Sequence, residues 1–519
     1  MAGMAGSASR VRHGPAVVRP GLIRVVNLFR NEVSLSMLRQ IVFYLPANII
    51  PAACSLLLVF AYTRVLTPEA FGVYSLVFSG VLFAQNALFF AVPIAITRFH
   101  PRSILSDREV GFLKAAYTLF YILAAAVVAV CVIVLPLSGL EPTIRHAAWL
   151  GVPILLTRAA VGMNQAVNRS ANLMARYVTI ECAHAVLGIA IGLALIPEVG
   201  PSADAVLLGL LIAASVCAVV DLGRLLLPLR WRVGLDREAL LHLISYSWPL
   251  VGVAIAASVL QLSDRFLLGS FGDTGLLGVY AVAYSLVDRP TSVICSAITT
   301  ATFPIAVQML EQQGREAGRI QAGKNGAVLL ALALPACAGL ALTAPQIAAT
   351  LVGSAFREGV TALIPIMCFT ALLQGVRAHF IDHAFHLAGR SSTMMWSYGP
   401  AAIANVVLNL VLIPRYGMLG AAWSGLASQS LAVAVGWAVG QRVFPLWVPL
   451  DQVMRIVACV ALMAAVLLSL EFANSWFGLL EAVSVGGCIF VMAAMLFNAG
   501  EVRSRLIRFW IGTAAGNSA

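Results

Sequence analysis

The apolar runs decide what this chain can fold into. About fourteen stretches approach the roughly 20 residues that carry a helix across a bilayer. They fall near 41–63, 73–97, 112–137, 147–167, 174–196, 204–223, 241–263, 275–305, 326–344, 359–386, 395–413, 417–440, 453–471 and 477–498. In hydrocarbon no water satisfies the backbone, so only α-helices and closed barrels can span. Barrel strands read as short alternating segments, whereas these runs are long and continuous. The expected fold class is therefore all-α: a polytopic membrane protein. Composition agrees, with 61% hydrophobic and 11% charged residues against roughly 25% charged in a soluble domain.

The runs form two similar sets. Leu195-Ile196-Pro197-Glu198-Val199-Gly200 ends one long apolar segment and Leu412-Ile413-Pro414-Arg415-Tyr416-Gly417 ends another. Pro46, Arg64 and Gly72-Val73-Tyr74 are echoed by Pro249, Arg265 and Gly278-Val279-Tyr280. A repeat of this length predicts two pseudo-repeated six-helix lobes, an arrangement that in secondary transporters commonly encloses a site near the midplane. The expected organisation is a basic N-terminal arm (1–36), an N-lobe of six spans (37–224), a linker (225–239), a C-lobe of six spans (240–441), two further spans (442–500) and a tail (501–519). Asp236-Arg237-Glu238 reads as a capped helix start. In the arm, apolar residues from Leu22 to Phe29 interleaved with Arg24 and Arg30 fit either a basic interfacial helix or a disordered tail.

Charge orients the chain. With an even number of spans both ends share one side, and that side holds about 25 of the Arg and Lys residues, so it is expected to be cytoplasmic. The net charge of +11 then reflects topology and anionic lipid, and no nucleic-acid motif competes. The nine cysteines sit singly within apolar runs, as small packing residues do. No cofactor or metal motif stands out.

Three segments resemble a known family. Leu66-Thr67-Pro68-Glu69-Ala70-Phe71-Gly72-Val73-Tyr74-Ser75, Ser263-Asp264-Arg265-Phe266-Leu267-Leu268-Gly269 and Leu410 through Ala422 are similar to signatures of the Wzx-type polysaccharide and O-antigen flippases. These form the oligosaccharide branch of the multidrug/oligosaccharidyl-lipid/polysaccharide exporter superfamily. The resemblance covers roughly residues 37–440. It implies twelve to fourteen helices around a central cavity, and a flippase that moves an undecaprenyl-pyrophosphate-linked oligosaccharide across the bacterial inner membrane by alternating access during polysaccharide biosynthesis. The implied partners are that glycan lipid, the bilayer and a polysaccharide polymerase or export complex.

Charges inside spans cost about 2.5–3.5 kcal/mol each on insertion scales, so each one invites a role. Arg158 starts a polar stripe with Gly162, Gln165, Arg169 and Asn172 along the fourth span. It fits either a cavity-facing cation or a snorkelling, helix-bridging one. Arg377 occupies the repeat-related span. There His379, Asp382, His383 and His386 share one helical face, readable as protonatable cavity groups or as a stripe at the cytoplasmic mouth, with Arg377 pointing away. Asp288-Arg289-Pro290 is expected to interrupt the eighth span, since proline breaks the helical ladder. Asp288 and Arg289 fit a cavity role or a structural ion pair. Glu181 and His184 lie one turn apart in the fifth span, and Asp221 with Arg224 reads as an interfacial pair. Asp264 and Arg265 are expected to serve folding or gating.

A pyrophosphate headgroup needs planar, permanently charged donors, which arginine supplies. The substrate-binding candidates are accordingly Arg158, Arg289 and Arg377, with Asn164, Gln165, Asn168 and Gln261 for sugar. Asp288, His379, Asp382, His383, His386 and Glu181 are candidates for ion coupling. Asp264, Arg265 and Pro290 are structural or gating candidates. The chain has no P-loop and no long acidic loop between spans. It therefore reads as a transporter rather than an enzyme. The alternatives are a lipid-linked peptidoglycan-precursor flippase, a multidrug antiporter of the same superfamily or, from another class, a membrane glycan polymerase or ligase.

Overall fold

The computed structural model describes residues 46–229, 236–271, 273–501 and Arg503. The expected N-terminal arm, part of the linker and nearly all of the tail lie outside the described residues.

The first lobe is built from α1 (Pro46–Val65), α2 (Pro68–Ala84), α3 (Ala91–Leu105), α4 (Glu109–Leu137), α5 (Pro142–Ser170), α6 (Met174–Val199) and α7 (Ala203–Val220), followed by the single turn α8 (Leu222–Leu225). The second contains α9 (Arg237–Ser270), α10 (Thr274–Gln313), α11 (Arg315–Leu342), the short α12 (Ala344–Leu351), α13 (Arg357–Val376), α14 (Asp382–Leu387) and α15 (Met395–Val443). Then come α16 (Leu450–Ser469) and α17 (Trp476–Phe497). The protein is thus an all-α, multi-pass membrane protein.

Thirteen helical stretches are long and apolar enough to cross a membrane among the described residues. One of them, Ser392–Val443, has 52 residues. At 1.5 Å per residue it would extend about 78 Å, more than twice a hydrocarbon core. The chain turns within it at Gly417, whose φ of 55° and ψ of −133° are not helical. Glycine tolerates that left-handed φ because it has no Cβ. Counting the two arms of α15 separately gives fourteen spans.

Local chemistry sets the ends. Thr67 accepts a hydrogen bond from the Ala70 amide and Pro68 opens α2, a combination that satisfies an orphan donor and presets φ. Asp236 caps α9 through the Ala239 amide, as its sequence predicts, and Asp273 caps α10 through Leu276. The eighth span departs from expectation. α10 runs 40 residues through Pro290 and Pro304 without a break. Proline removes one donor and crowds one carbonyl, a local cost that surrounding packing absorbs here.

Two helices widen instead. α2 passes into α3 through a π-turn at Gln85–Phe89, and α13 into α14 through another at Arg377–Ile381. Each inserts one residue into the helical ladder and rotates everything beyond it.

The lobes meet at both ends. At the arginine-poor end, α2 crosses α10 where Gly72 and Gly278 face each other. At the arginine-rich end, Arg98 donates to the Tyr246 hydroxyl at 3.1 Å and lies 4.7 Å from its ring. There the Ser247 hydroxyl donates to the Ala91 carbonyl, and Arg108 stands 3.6 Å from Glu238 on the surface.

Candidate functional site

Arg158 on α5 is half-buried. Its Nε donates to Gln85 Oε1 at 3.4 Å, and its guanidinium lies 5.2 Å from the Phe78 ring. Gln85 opens the π-turn, so the irregular backbone of α2–α3 presents this amide to the arginine. Tyr74, one turn before Phe78 on α2, is buried and lies within Coulombic reach of Arg158, Arg289 and Arg265. Arg158 in turn lies within Coulombic reach of Glu181 on α6 and of Arg289. The two cations belong to opposite lobes, on the helices α5 and α10 that both pack against α2 and its Tyr74, and Arg158 also has Glu181 as an acidic neighbour. Among the described residues neither has a carboxylate within ion-pair distance. Arg289 is exposed at its position on α10, next to Asp288.

Arg377 differs. It is buried, with its guanidinium 4.1 Å from the Tyr398 ring, 3.8 Å from Asp382 Oδ2 and donating to Gln429 Oε1. Tyr398 donates to the same carboxylate oxygen at 2.8 Å. All four residues belong to the second lobe. A regular helix points Arg377 away from the Asp382 stripe, as the sequence leads one to expect. The π-turn is why the structure differs: it stacks residues five apart, Arg377 and Asp382.

The same turn splits the expected stripe. Asp382 faces α15, whereas the histidines face α10 of their own lobe. His379 Nδ1 lies 2.9 Å from Thr299 Oγ1. The His383 ring is 4.5 Å from Phe303 and that of His386 6.3 Å.

Asn164 and Gln165 lie inside the first lobe. Tyr117 donates to Asn164 Oδ1 at 2.5 Å. Gln165 donates to the Tyr177 carbonyl and to Glu181 and accepts from Asn168. Asn168 accepts from Arg224 at 2.7 Å. Arg224 and Arg176 both pair with Asp221, at 3.2 and 2.6 Å. Apart from the separate Tyr117–Asn164 pair, these groups make one network tying α5, α6 and the α7–α8 turn together, and Asn164, Gln165 and Asn168 are buried.

In the second lobe, Asp264 accepts from the Tyr280 hydroxyl and from the Arg265 amide. Arg265 crosses the lobe boundary: its NH1 donates to Ser79 of α2 at 3.3 Å, and it stacks 4.4 Å from Tyr284. Gln261, Asp264, Tyr280, Tyr284, Asp288, Gln374 and Gln429 line a cavity of about 30 Å³. That suits a water molecule or two. Anything larger requires the lobes to part. Sequence reasoning missed Tyr74, Phe78 and Gln85 as companions of Arg158. Gln85-Asn86, a polar pair inside an apolar run, is the signal that could have found them.

Two repeated lobes of membrane-spanning helices, each with charges inside its spans, have the architecture common among secondary transporters. The sequence profile described as "Polysaccharide biosynthesis protein" matches residues 61–361, more than half the chain, and the protein belongs to that family. It is similar to the "Probable flippase AglR" of Haloferax volcanii, 26% identical over 198 residues, which are 36% of this chain and 39% of the relative. The match thus spans about two-fifths of that relative's length. Among solved structures, the fold resembles "Lipid II flippase MurJ, inward closed conformation" with a TM-score of 0.73 at 13% identity, covering 88% of this chain and 98% of that one. An inward-facing multidrug resistance MATE family transporter of the MOP superfamily aligns with a TM-score of 0.60 at 16% identity over 81% and 95%.

Proposed function

We propose that the protein is a flippase that carries an undecaprenyl-pyrophosphate-linked oligosaccharide from the cytoplasmic to the outer leaflet of a bacterial inner membrane. The lobes rock about a midplane site, and both termini lie in the cytoplasm. The observation that carries this reading is that Arg158 and Arg289 stand on helices of opposite lobes, both packed against α2, and that neither has an ion-paired carboxylate among the described residues. Two such charges in a low-dielectric zone are costly alone and attract an anionic headgroup. Arginine's fork matches phosphate oxygens. The lipid tail stays in the bilayer, and the sugar follows the headgroup once the lobes part. Arg377 serves the second lobe rather than the headgroup, because its charge is already met by Asp382. Among the coupling candidates, Asp288 and Glu181 stand beside the proposed headgroup site, whereas the histidines pack on α10.

The test uses purified protein in liposomes, with leaflet accessibility of a lipid-linked oligosaccharide as the readout. Losing a charged hydrogen bond costs about 1.5–3 kcal/mol, a ten- to hundredfold loss in affinity. Arg158→Gln and Arg289→Gln should each show it, and Arg158→Lys should be partly active. Variants that bind and flip like the parent would refute the site. Glycan polymer in place of flipped lipid would favour the polymerase reading. Preference for a lipid-linked peptidoglycan precursor would favour the reading suggested by the fold of the lipid II flippase.

A further inference from the structure

The repeat pairs Arg64 with Arg265, and both arginines reach into the opposite lobe. Arg265 contacts Ser79. Arg64, at the end of α1, donates from NH2 to the Thr350 carbonyl at 2.7 Å and from NH1 to the Leu351 carbonyl at 3.3 Å. Those are the last carbonyls of α12, the negative end of a helix dipole in the second lobe. NH1 also donates to Phe60 of its own helix at 2.6 Å, and the guanidinium lies 3.7 Å from the Phe60 ring. Arg357 stands beside it, within Coulombic reach, its Nε donating to the Val352 carbonyl at 3.1 Å. Both arginines are exposed. Neither has a carboxylate within ion-pair distance among the described residues. Two like charges thus sit on the neighbouring carbonyls of Leu351 and Val352 at the lobe boundary.

We infer that Arg64 and Arg357 form a second phosphate-binding subsite at the arginine-poor rim, one that receives the pyrophosphate headgroup as it leaves the central site. This rests on the reading of Arg158 and Arg289 as the central headgroup site. In the closed rim the carbonyls of Thr350 and Leu351 occupy the Arg64 fork. When the lobes part at this end, α1 moves away from α12 and Arg64 loses those acceptors. It keeps the Phe60 carbonyl and ring, which belong to its own helix and hold it in place. Arg357 keeps its bond to Val352 through Nε, leaving its outer nitrogens for an anion. A pyrophosphate oxygen makes charge-assisted bonds about twice as strong as neutral ones. It therefore replaces the lost carbonyls with a stronger acceptor at the moment of release. Opening thus adds the Arg64 fork to the donors that Arg357 offers in either state, so the subsite tightens on opening.

The experiment uses the full chain in phosphatidylcholine nanodiscs, with inorganic pyrophosphate as the probe. Arg158→Gln with Arg289→Gln removes the central site. If that pair binds pyrophosphate as tightly as the parent with the rim closed, the central-site reading fails, whatever the rim does. In the same background Gly278→Leu, or Gly72→Leu if that folds better, holds the rim apart. Binding should then tighten, and Arg64→Gln or Arg357→Gln should each weaken it about tenfold or more. No tightening on opening the rim, or binding that survives both arginine substitutions, overturns the inference. A further arm replaces part of the phosphatidylcholine with phosphatidylglycerol. Unchanged pyrophosphate affinity supports an exit subsite. Displacement by the lipid would make the rim a general headgroup contact and overturn its role in exit.

Discussion

Gly72 and Gly278, equivalent positions of the two repeats, meet each other at the arginine-poor end. A Cβ on Gly72 would collide with the Thr274 carbonyl, and a Cβ on Gly278 with the Pro68 carbonyl. Each glycine thus lets the backbone of the opposite lobe approach. This reciprocal contact between α2 and α10 is how small residues bring membrane helices close. Beside it, the Gly353 amide donates to Thr63 Oγ1 at 3.0 Å, and Arg64 spans the same boundary. The rim is closed largely by backbone atoms, so side-chain bulk at either glycine acts on the conformational equilibrium.

Gly72→Ala should open that rim. Overpacking costs about 1–3 kcal/mol, here charged against the closed state. Spin labels on Val199→Cys and Phe271→Cys, one on each lobe at this end, should report longer and broader distances than in the parent. An unchanged distribution would mean that the crossing does not control closure.

The Arg377–Asp382 pair should behave as a buried unit. Removing one partner leaves an uncompensated charge and costs about 3–5 kcal/mol, whereas replacing both with apolar residues is often neutral. Arg377→Met alone should lower the Tm of detergent-solubilised protein sharply. Arg377→Met with Asp382→Leu should recover most of it. If the double variant is as unstable as the single, or the single loses transport at normal stability, Arg377 is more than a structural cation.

Asp264 should matter for folding. It holds the Tyr280 hydroxyl and the Arg265 amide, and Arg265 already has a buried Nε without a partner. Asp264→Ala should therefore reduce folded yield more than transport per folded molecule. Normal yield with abolished transport would point to a direct role at the adjoining cavity.

His100 gives the first lobe a pH dependence. It is fully buried beyond the apolar part of its helix, with Nδ1 2.8 Å from Ser170 Oγ and Nε2 3.2 Å from Glu109. Burial pushes its pKa below the usual value, and Glu109 only partly offsets this. The unfolded chain therefore takes up the proton first as pH falls below about 6.5, and stability drops with it. The Tm should fall between pH 7.5 and 5.5, and His100→Gln should flatten that slope. An equally steep slope in the variant would place the titration elsewhere.

The sequence by itself determined the solvent, the element type and the repeat. Run length against bilayer thickness fixes spans, and backbone satisfaction in hydrocarbon fixes helices. Capping chemistry placed the start of α9 from Asp236 alone, whereas α2 begins at Pro68, ahead of the run expected from residue 73. Arg158 was legible as costly, because a charge in an apolar run has few tolerable surroundings. Where each polar group points was decided only by tertiary structure. Stripes drawn at 3.6 residues per turn assume an unbroken ladder. The π-turns at Gln85–Phe89 and Arg377–Ile381 rotate the helix beyond them, bringing Asp382 to Arg377 and turning the histidines toward α10. Pro290, a breaker by local rule, sits in a continuous helix because packing absorbs its cost. Partner choice is a property of the folded backbone: Arg158 and Arg377 look alike in sequence, yet of the two only Arg377 has a carboxylate within ion-pair distance.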